Sequence, residues 1–323
     1  MAGSKDSKNG LVKDASGRTM TRENLDELVT LATDMEFRDA KSAGALGFMA
    51  HHLVQTTLPH SKPVDERGVE MREYTRHNGN LHLAFQAGPT ALQGTGIPYG
   101  VWPRRQMLHL ATEAKRTGCP VIGLGESMEE YALMLGVQGG VGYGKRGVGT
   151  EIQRQAIRLF TGFLTTWADG DSFQFDSYKM AESGGIWWDL KHPGQKSLWR
   201  SEITLSARAF REMTERAIPL DKRALLDPTL QRSPLGLDLL VWLPYRCFTA
   251  KKHTLIPWWP LMRQFGAGYA DDDQGMRSFR FKVRRVIKII LSYYPRLRVD
   301  ASGTDGIWIT PSTAKAIEGN SVD

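Results

Sequence analysis

The sequence predicts an α+β fold, mainly helical with small β-ribbons, in which one order of elements is used twice. Helical apolar stripes alternate with short strands, and glycine and proline mark their ends. The order helix, short strand, helix, basic helix, two-stranded ribbon then occurs two times, with the second helices ending at Gly136 and Gly266, 130 residues apart. That order is the pattern of a winged helix-turn-helix in tandem.

The totals fit such a chain. With 323 residues and 41% hydrophobic content, about two domains can each bury a core. Lys and Arg number 42 against 35 Asp and Glu, a net charge of +7, which favours polyanion partners. Cys119 and Cys247 are too few and too far apart for a zinc motif or a disulfide framework. The start "MAGSKDSKNG" has no apolar signal core, and "LGLDLLVWLP" is too short for a bilayer and contains Asp238. A cytoplasmic chain without membrane partners is expected.

The elements follow in order. In "TRENLDELVTLATDM", Thr21 is placed to cap a helix whose apolar face is Leu25, Leu28, Ala32 and Met35. Residues 1–80 read as an N-terminal extension with that one amphipathic helix, and the folded body is expected to start at "NLHLAF", where Leu81, Leu83 and Phe85 alternate. The first winged-helix domain spans 81–217. It opens on "IPYGVWPRRQMLHLATEAKRTG", where Pro98 and Gly100 turn the chain and Pro103 suits a first helical turn. Leu108, Ala111 and Ala114 face inward, with Arg105, His109, Thr112 and Arg116 opposite; Arg104 and Arg105 read either as phosphate contacts or as solvated charge. "PVIGLG" is a short strand, and Ser127 with Glu130 forms a capping box for a helix that Gly136 stops. Thr150 is expected to cap "EIQRQAIRLFTGFL", with Gln153, Arg154 and Arg158 outside its apolar stripe. "TTWADGDSFQFDSYKM" and "GGIWWDL" complete the copy as strands. The second winged-helix domain, 218–312, runs through "SPLGLDLLVWLPYRCF", "HTLIPW", "WPLMRQFG", "MRSFRFKVRRVIKIILSYY", "RLRVDAS" and "GIWITP". Residues 313–323 form a polar tail.

Several tempting motifs fail on chemistry. In "GGVGYGKRGVG" the spacing from Gly139 to Lys145 fits G-x-x-x-x-G-K, but Arg146 stands where a phosphate loop needs the hydroxyl that holds magnesium. Gly142, Gly144 and Gly147 also fit G-x-G-x-x-G, yet a helix rather than a strand leads in. We read a basic loop whose Lys145 and Arg146 approach a phosphate backbone. A nicking enzyme would need an H-x-H pair, and none of the eight histidines supplies one. No catalytic residue, metal ligand or cofactor is therefore assigned.

The strongest signal is the helix from Met276 to Tyr294. Phe279, Val283, Val286, Ile287 and Ile290 share one face; Arg277, Arg284, Arg285 and Lys288 share the other, flanked by Arg280 and Lys282. No acid occurs between Met276 and Val299. Like charges one turn apart repel by about 0.2–0.5 kcal/mol per pair, so an unmixed basic face calls for an external anion. Phe281 lies on the same face, where it could touch a thymine methyl or pack on another subunit.

These residues also carry a family resemblance. "GIPYGVWPR", "LATEAKRTG", "LGESMEEYALMLG", "GGVGYGKRG", "PLDKRALL", "SPLGLDLLVWLPYR", "IPWWPLMRQFG" and "YYPRLRV" occur in order between Leu81 and Ser312. Together they resemble the RepA-type replication initiators of iteron-containing bacterial plasmids. The resemblance implies a non-enzymatic protein with tandem winged-helix domains that binds repeats in double-stranded DNA at the plasmid origin. It further implies help in opening the duplex, recruitment of a host helicase and host initiator protein, autorepression with copy-number control, and a monomer–dimer equilibrium. The competing reading is a sequence-specific transcriptional repressor that initiates nothing.

Overall fold

The structure is a computed structural model that describes residues 11–14, 16–50, 54, 57–142, 144, 147–169 and 174–314. Helix and strand are mixed throughout. Helix accounts for 40% of the described residues, so the expectation of a mainly helical chain overstates it. The excess is in strands, because the expected ribbons belong to larger sheets.

Strands β1 (Leu11–Lys13) and β2 (Thr19–Thr21) form a hairpin that feeds α1 (Arg22–Phe37). Thr21 caps α1 as its residue type demands, its hydroxyl accepting from the Asn24 amide at 3.3 Å. The folded body does not wait for Leu81. Strand β3 (Leu46–Ala50) pairs antiparallel with β11 (Ala217–Asp221), about 170 residues further along the chain. Strand alternation in "LGFMA" is too short to announce a partner that distant.

β4 (Glu73–Asn78), β5 (Leu81–Gln86), β7 (Phe163–Ala168) and β8 (Gln174–Lys179) make a four-stranded antiparallel sheet in that order. Leu83, Phe85, Leu164 and Tyr178 are its buried face. β6 (Val121–Gly123) pairs instead with β10 (Glu202–Leu205), which also holds β9 (Ala181–Gly185). The expected strand "GGIWWDL" thus ends at Gly185, and Ile186–Leu190 leave the sheet so that Trp188 can bury and stack on Tyr131 at 4.8 Å.

Helix α2 (Val101–Thr117) lies at the centre of this half. Gly100 and Gly118 bound it at φ 78° and 65°, a backbone that only glycine adopts without strain. α2 packs against β3 on one side and against α4 (Val148–Thr161) and α5 (Ala207–Thr214) on others. Its expected outer face is therefore covered in part: Arg105 and Thr112 are buried, as is Arg104, while His109 is half-buried and Arg116 stays exposed. α3 (Met128–Met134) starts at Ser127, whose hydroxyl accepts from the Glu130 amide at 3.1 Å, while the Glu130 carboxylate accepts from the Glu126 amide at 2.7 Å. α4 starts three residues earlier than expected, at Val148 after Gly147, so Thr150 sits inside it and caps nothing.

After β11, a 3-10 turn at Lys222–Leu226 and α6 (Pro228–Gln231) lead to α7 (Pro234–Thr249), β12 (Thr254–Pro257), α8 (Trp258–Phe265), α9 (Asp273–Tyr293), β13 (Arg298–Asp300) and β14 (Gly306–Thr310). Here β12, β14 and β13 close into one sheet, with β14 in the middle. The two copies therefore share an order but not a pairing: the short strand joins the ribbon in the second and leaves it in the first. Gly266 closes α8 for want of room rather than for φ, since a Cβ there would lie 2.5 Å from the Met262 carbonyl oxygen.

One buried ion pair ties the halves together. Arg104 of α2 donates to both oxygens of Asp238 in α7, at 2.7 and 2.8 Å, and to the carbonyls of Leu58, Pro59 and Gly100. Burial alone would raise the Asp238 carboxyl, but Arg104 and the nearby His60 hold it below the usual carboxylate range. Arg105 donates to the carbonyls of Leu135 and Gln231, and burial lowers its guanidinium to about 10. Both arginines are structural, and neither reaches a phosphate from these positions.

Candidate nucleic-acid interface

The described residues leave one basic face without acids, and α9 builds it. Asp272 caps the helix, accepting from the Gly275 amide at 2.6 Å, so this acid is a cap rather than a solvated turn residue. Gly275 lets the helix start against the preceding turn, because a Cβ there would lie 2.0 Å from the Ala270 carbonyl oxygen. Met276, Phe279, Val283, Val286, Ile287, Ile290 and Tyr293 go into the core. The seam also receives α1, whose Leu25, Leu28 and Ala32 meet Ile289 and Tyr293 around a cavity of about 460 Å³.

What remains outside is a stripe. Arg277, Phe281 and Lys288 are exposed, Phe281 to 70%, and Arg280, Lys282, Arg284 and Arg285 are half-buried beside them. Among the described residues none of these six cations forms an ion pair. Their attachments differ, however. Arg277 bonds only to Gln274, at 3.2 Å. Arg284 reaches across to the turn between β13 and β14, donating to the carbonyls of Ala301, Ser302 and Gly303 at 2.7, 3.2 and 2.8 Å. Its guanidinium also lies 5.3 Å from the Trp258 ring centroid, with Arg280 6.0 Å from the same ring. The Trp258 indole N–H closes the set on Gly303, at 3.2 Å. Arg284 thus locks the ribbon turn against the helix, so that α9 and the ribbon present one surface. Sequence pattern places Arg284 on the outer face but cannot show this bond, which depends on where the turn folds back.

The first half gives a different result. Lys145 and Arg146 lie outside the described residues. Gln153 and Arg154 are half-buried, and Arg154 is ion-paired with Glu151 one turn before it. Arg158, expected to face outward, is buried: it bonds to Glu70 at 2.6 Å and to the Ile97 carbonyl at 2.9 Å, with Tyr99 beneath it at 5.2 Å. The reason is the loop before β4, which folds over α4 and supplies the carboxylate. His82 stacks on Trp167 at 4.9 Å and bonds to Asp169, and His109 lies against Tyr131. Among the described residues no group of three or more His, Cys, Asp or Glu is placed to hold a metal, and no helix is long and apolar enough to cross a membrane.

The α+β chain thus presents a basic helix joined to a ribbon, without ion pairs on that helix among the described residues. The comparisons are more specific. Residues 97–255 match the RepA_C family model, described as plasmid encoded RepA protein. Over that stretch, just under half of its length, the chain is similar to the family. The matched stretch ends before α9. Among solved structures, crystal structures of RctB are similar. A selenomethionine derivative of its domains 2 and 3 superposes with a TM-score of 0.45 at 10% identity, over 82% of this chain and 96% of that one. RctB domains 2–3 give 0.44 at 10% identity, over 73% and 81%. No curated protein matches the sequence.

Proposed function

We propose that the chain is a plasmid replication initiator that binds repeated duplex sequences, iterons, at the plasmid origin. The observation that carries the proposal is the α9 face: six cations without ion pairs among the described residues, an exposed aromatic among them, and a ribbon fixed beside it by Arg284. A helix about 10–12 Å across fills a major groove about 12 Å wide, and a ribbon at its flank meets the adjacent phosphates. On this reading the second half is a winged helix-turn-helix with α9 as its reader. The first half supplies a second such unit in which the short strand has been captured by β10.

Two linked units would span neighbouring grooves without a dimer, which favours an initiator over a simple repressor. The match of residues 97–255 to the plasmid RepA family model supports the plasmid setting. The remaining parts of the proposal follow from it: opening of the origin, contact with a host helicase and initiator, autorepression and copy control, a monomer–dimer balance, a cytoplasmic location and no enzymatic step.

The test is binding of the plasmid's own origin repeat by an Arg277→Ala/Lys288→Ala double variant over a range of salt. Loss of two phosphate contacts lowers the salt slope by about 1.8 units, at about 0.9 per contact. An unchanged slope with unchanged affinity removes α9 from the interface. Origin-dependent transformation by the same variant separates initiation from repression.

A further inference from the structure

We propose that Trp187 and Trp199, with Lys191 and Arg200, form a stacking site for the bases of single-stranded DNA, distinct from the α9 face. Trp187, Leu198 and Trp199 are exposed to 55, 99 and 68%. One exposed apolar side chain is ordinary; three on one loop between β9 and β10 are not. The two indole centroids lie 6.4 Å apart with the planes tilted by 44°. Each exposed indole face can take a stacked base, whatever the identity of the base.

The loop is held in place. The Trp187 amide donates to the Ser201 hydroxyl at 2.9 Å and the Trp199 amide to the Ser197 hydroxyl at 3.2 Å. Backbone bonds from Ser197 to Glu126 and from Leu124 to Ser201 fasten its last part, and buried Trp188 anchors its start. The Trp187 ring lies back over Gly185, where a Cβ would sit 2.6 Å from its Nε1. A fixed ring loses little freedom on binding, which suits a platform.

Charge selects the ligand. From Leu190 to Ser201 there is no acid, while Lys191, His192, Lys196 and Arg200 are all present. Lys196 is ion-paired with Glu126 at 2.8 Å, but Lys191 and Arg200 form no ion pair among the described residues. Exposed aromatic rings on a loop that carries four basic residues and no acid match a strand that offers both bases and phosphates. A duplex hides its base faces within its own stack, so the site fits only unpaired bases. Single-stranded binding here does not depend on the duplex reading, since the two surfaces are built from different elements.

The experiment uses the full chain, a labelled 12-nucleotide oligodeoxythymidylate, its RNA counterpart and the duplex repeat, read by fluorescence anisotropy at several salt concentrations. Wild type binds the DNA oligomer, and Trp187→Ala/Trp199→Ala weakens that binding at least about tenfold while duplex affinity stays within about twofold. Trp187→Phe/Trp199→Phe restores most of it, because the ring face is kept. Lys191→Ala/Arg200→Ala lowers the salt slope by about 1.4 units, at about 0.7 per charge on a single strand. Thermal melting of each variant checks that the fold survives. The proposal is overturned if wild type does not bind the oligomer, if the alanine pair binds it equally well, or if RNA is bound more tightly. It is also overturned if the alanine pair converts dimer to monomer in sedimentation while keeping the oligomer, which marks a surface for a second copy. Loss of duplex binding with oligomer binding intact would count against the α9 reading alone.

Discussion

Helices α4 and α9 hold the same place in the repeated order, and both carry arginines one turn apart, yet the arginines do opposite work. In α4, Glu151 pairs with Arg154, and Glu70 from a distant loop draws Arg158 into the core. In α9 no acid lies within the helix after Asp273, and among the described residues none of its outer-face cations forms an ion pair, though Lys288 borders the same cavity as Glu36 of α1. The number of cations is therefore a poor guide to a ligand face. What distinguishes the two helices is whether the protein itself neutralises them, since a cation already held by a carboxylate offers little to a phosphate.

The sharpest form of this contrast is at Arg104, where the protein uses a guanidinium wholly for itself. Replacing Arg104 by Ala leaves Asp238 buried without its partner and costs about 3–5 kcal/mol, measured by urea unfolding. Asp238 also sets a pH dependence. Its pKa is lowered on folding, so its contribution is complete above the unfolded carboxylate value and disappears as pH falls through the folded one. His60, lowered mainly by burial, works in the same direction: the unfolded chain takes up its proton first, and stability begins to fall as pH drops below about 6.5. An Arg104→Ala protein as stable as wild type would show that the halves do not rely on this pair.

Much of this could be read in the sequence, and the failures have a common cause. Local chemistry was legible: Thr21 and Ser127 as caps, the strand alternation of Leu83 and Phe85, and the apolar stripe of α9 all follow from neighbours a few residues away. Partners far along the chain were not. The outward placement of Arg105 and Thr112 assumed that α2 buries one face, whereas β3, α4 and α5 surround it. Arg158 failed because Glu70, 88 residues earlier, was not visible as its partner. One signal was available: Asp238 stands alone in the apolar run "LGLDLLVWLP", and a lone acid in a buried helix requires a buried cation.

The contrast within α4 gives a smaller effect. Arg158→Ala removes a buried ion pair to Glu70 and a charged hydrogen bond to Ile97 and costs about 1.5–3 kcal/mol, whereas Arg154→Ala, at a half-exposed pair, stays within about 1 kcal/mol. Neither changes the salt slope of duplex binding. A slope lowered by about one unit in Arg154→Ala would mean that the first unit holds the duplex through the cations of α4 themselves, and would erase the difference between the two helices.

The finest distinction within the α9 face concerns Phe281, because an exposed phenyl among cations adds nothing to phosphate affinity. Arg277 and Arg285 lie one turn to either side of it, so a groove that accepts them brings the ring to the base edges. Phe281→Ala should leave stability within about 0.5 kcal/mol, since the ring is 70% exposed and alanine is the better helix former. Its effect belongs to sequence preference. A thymine methyl buried against the ring is worth about 0.8 kcal/mol, and deoxyuridine removes that methyl while keeping the base pair. Replacing thymines of the repeat one at a time by deoxyuridine should therefore weaken wild-type binding at one position by about fourfold and leave Phe281→Ala indifferent there. The coupling between the two changes, measured as a double-mutant cycle, isolates the contact from general losses. If no position shows coupling and Phe281→Ala instead dissociates a dimer, the ring packs on a second copy, and base reading by α9 rests on its arginines alone.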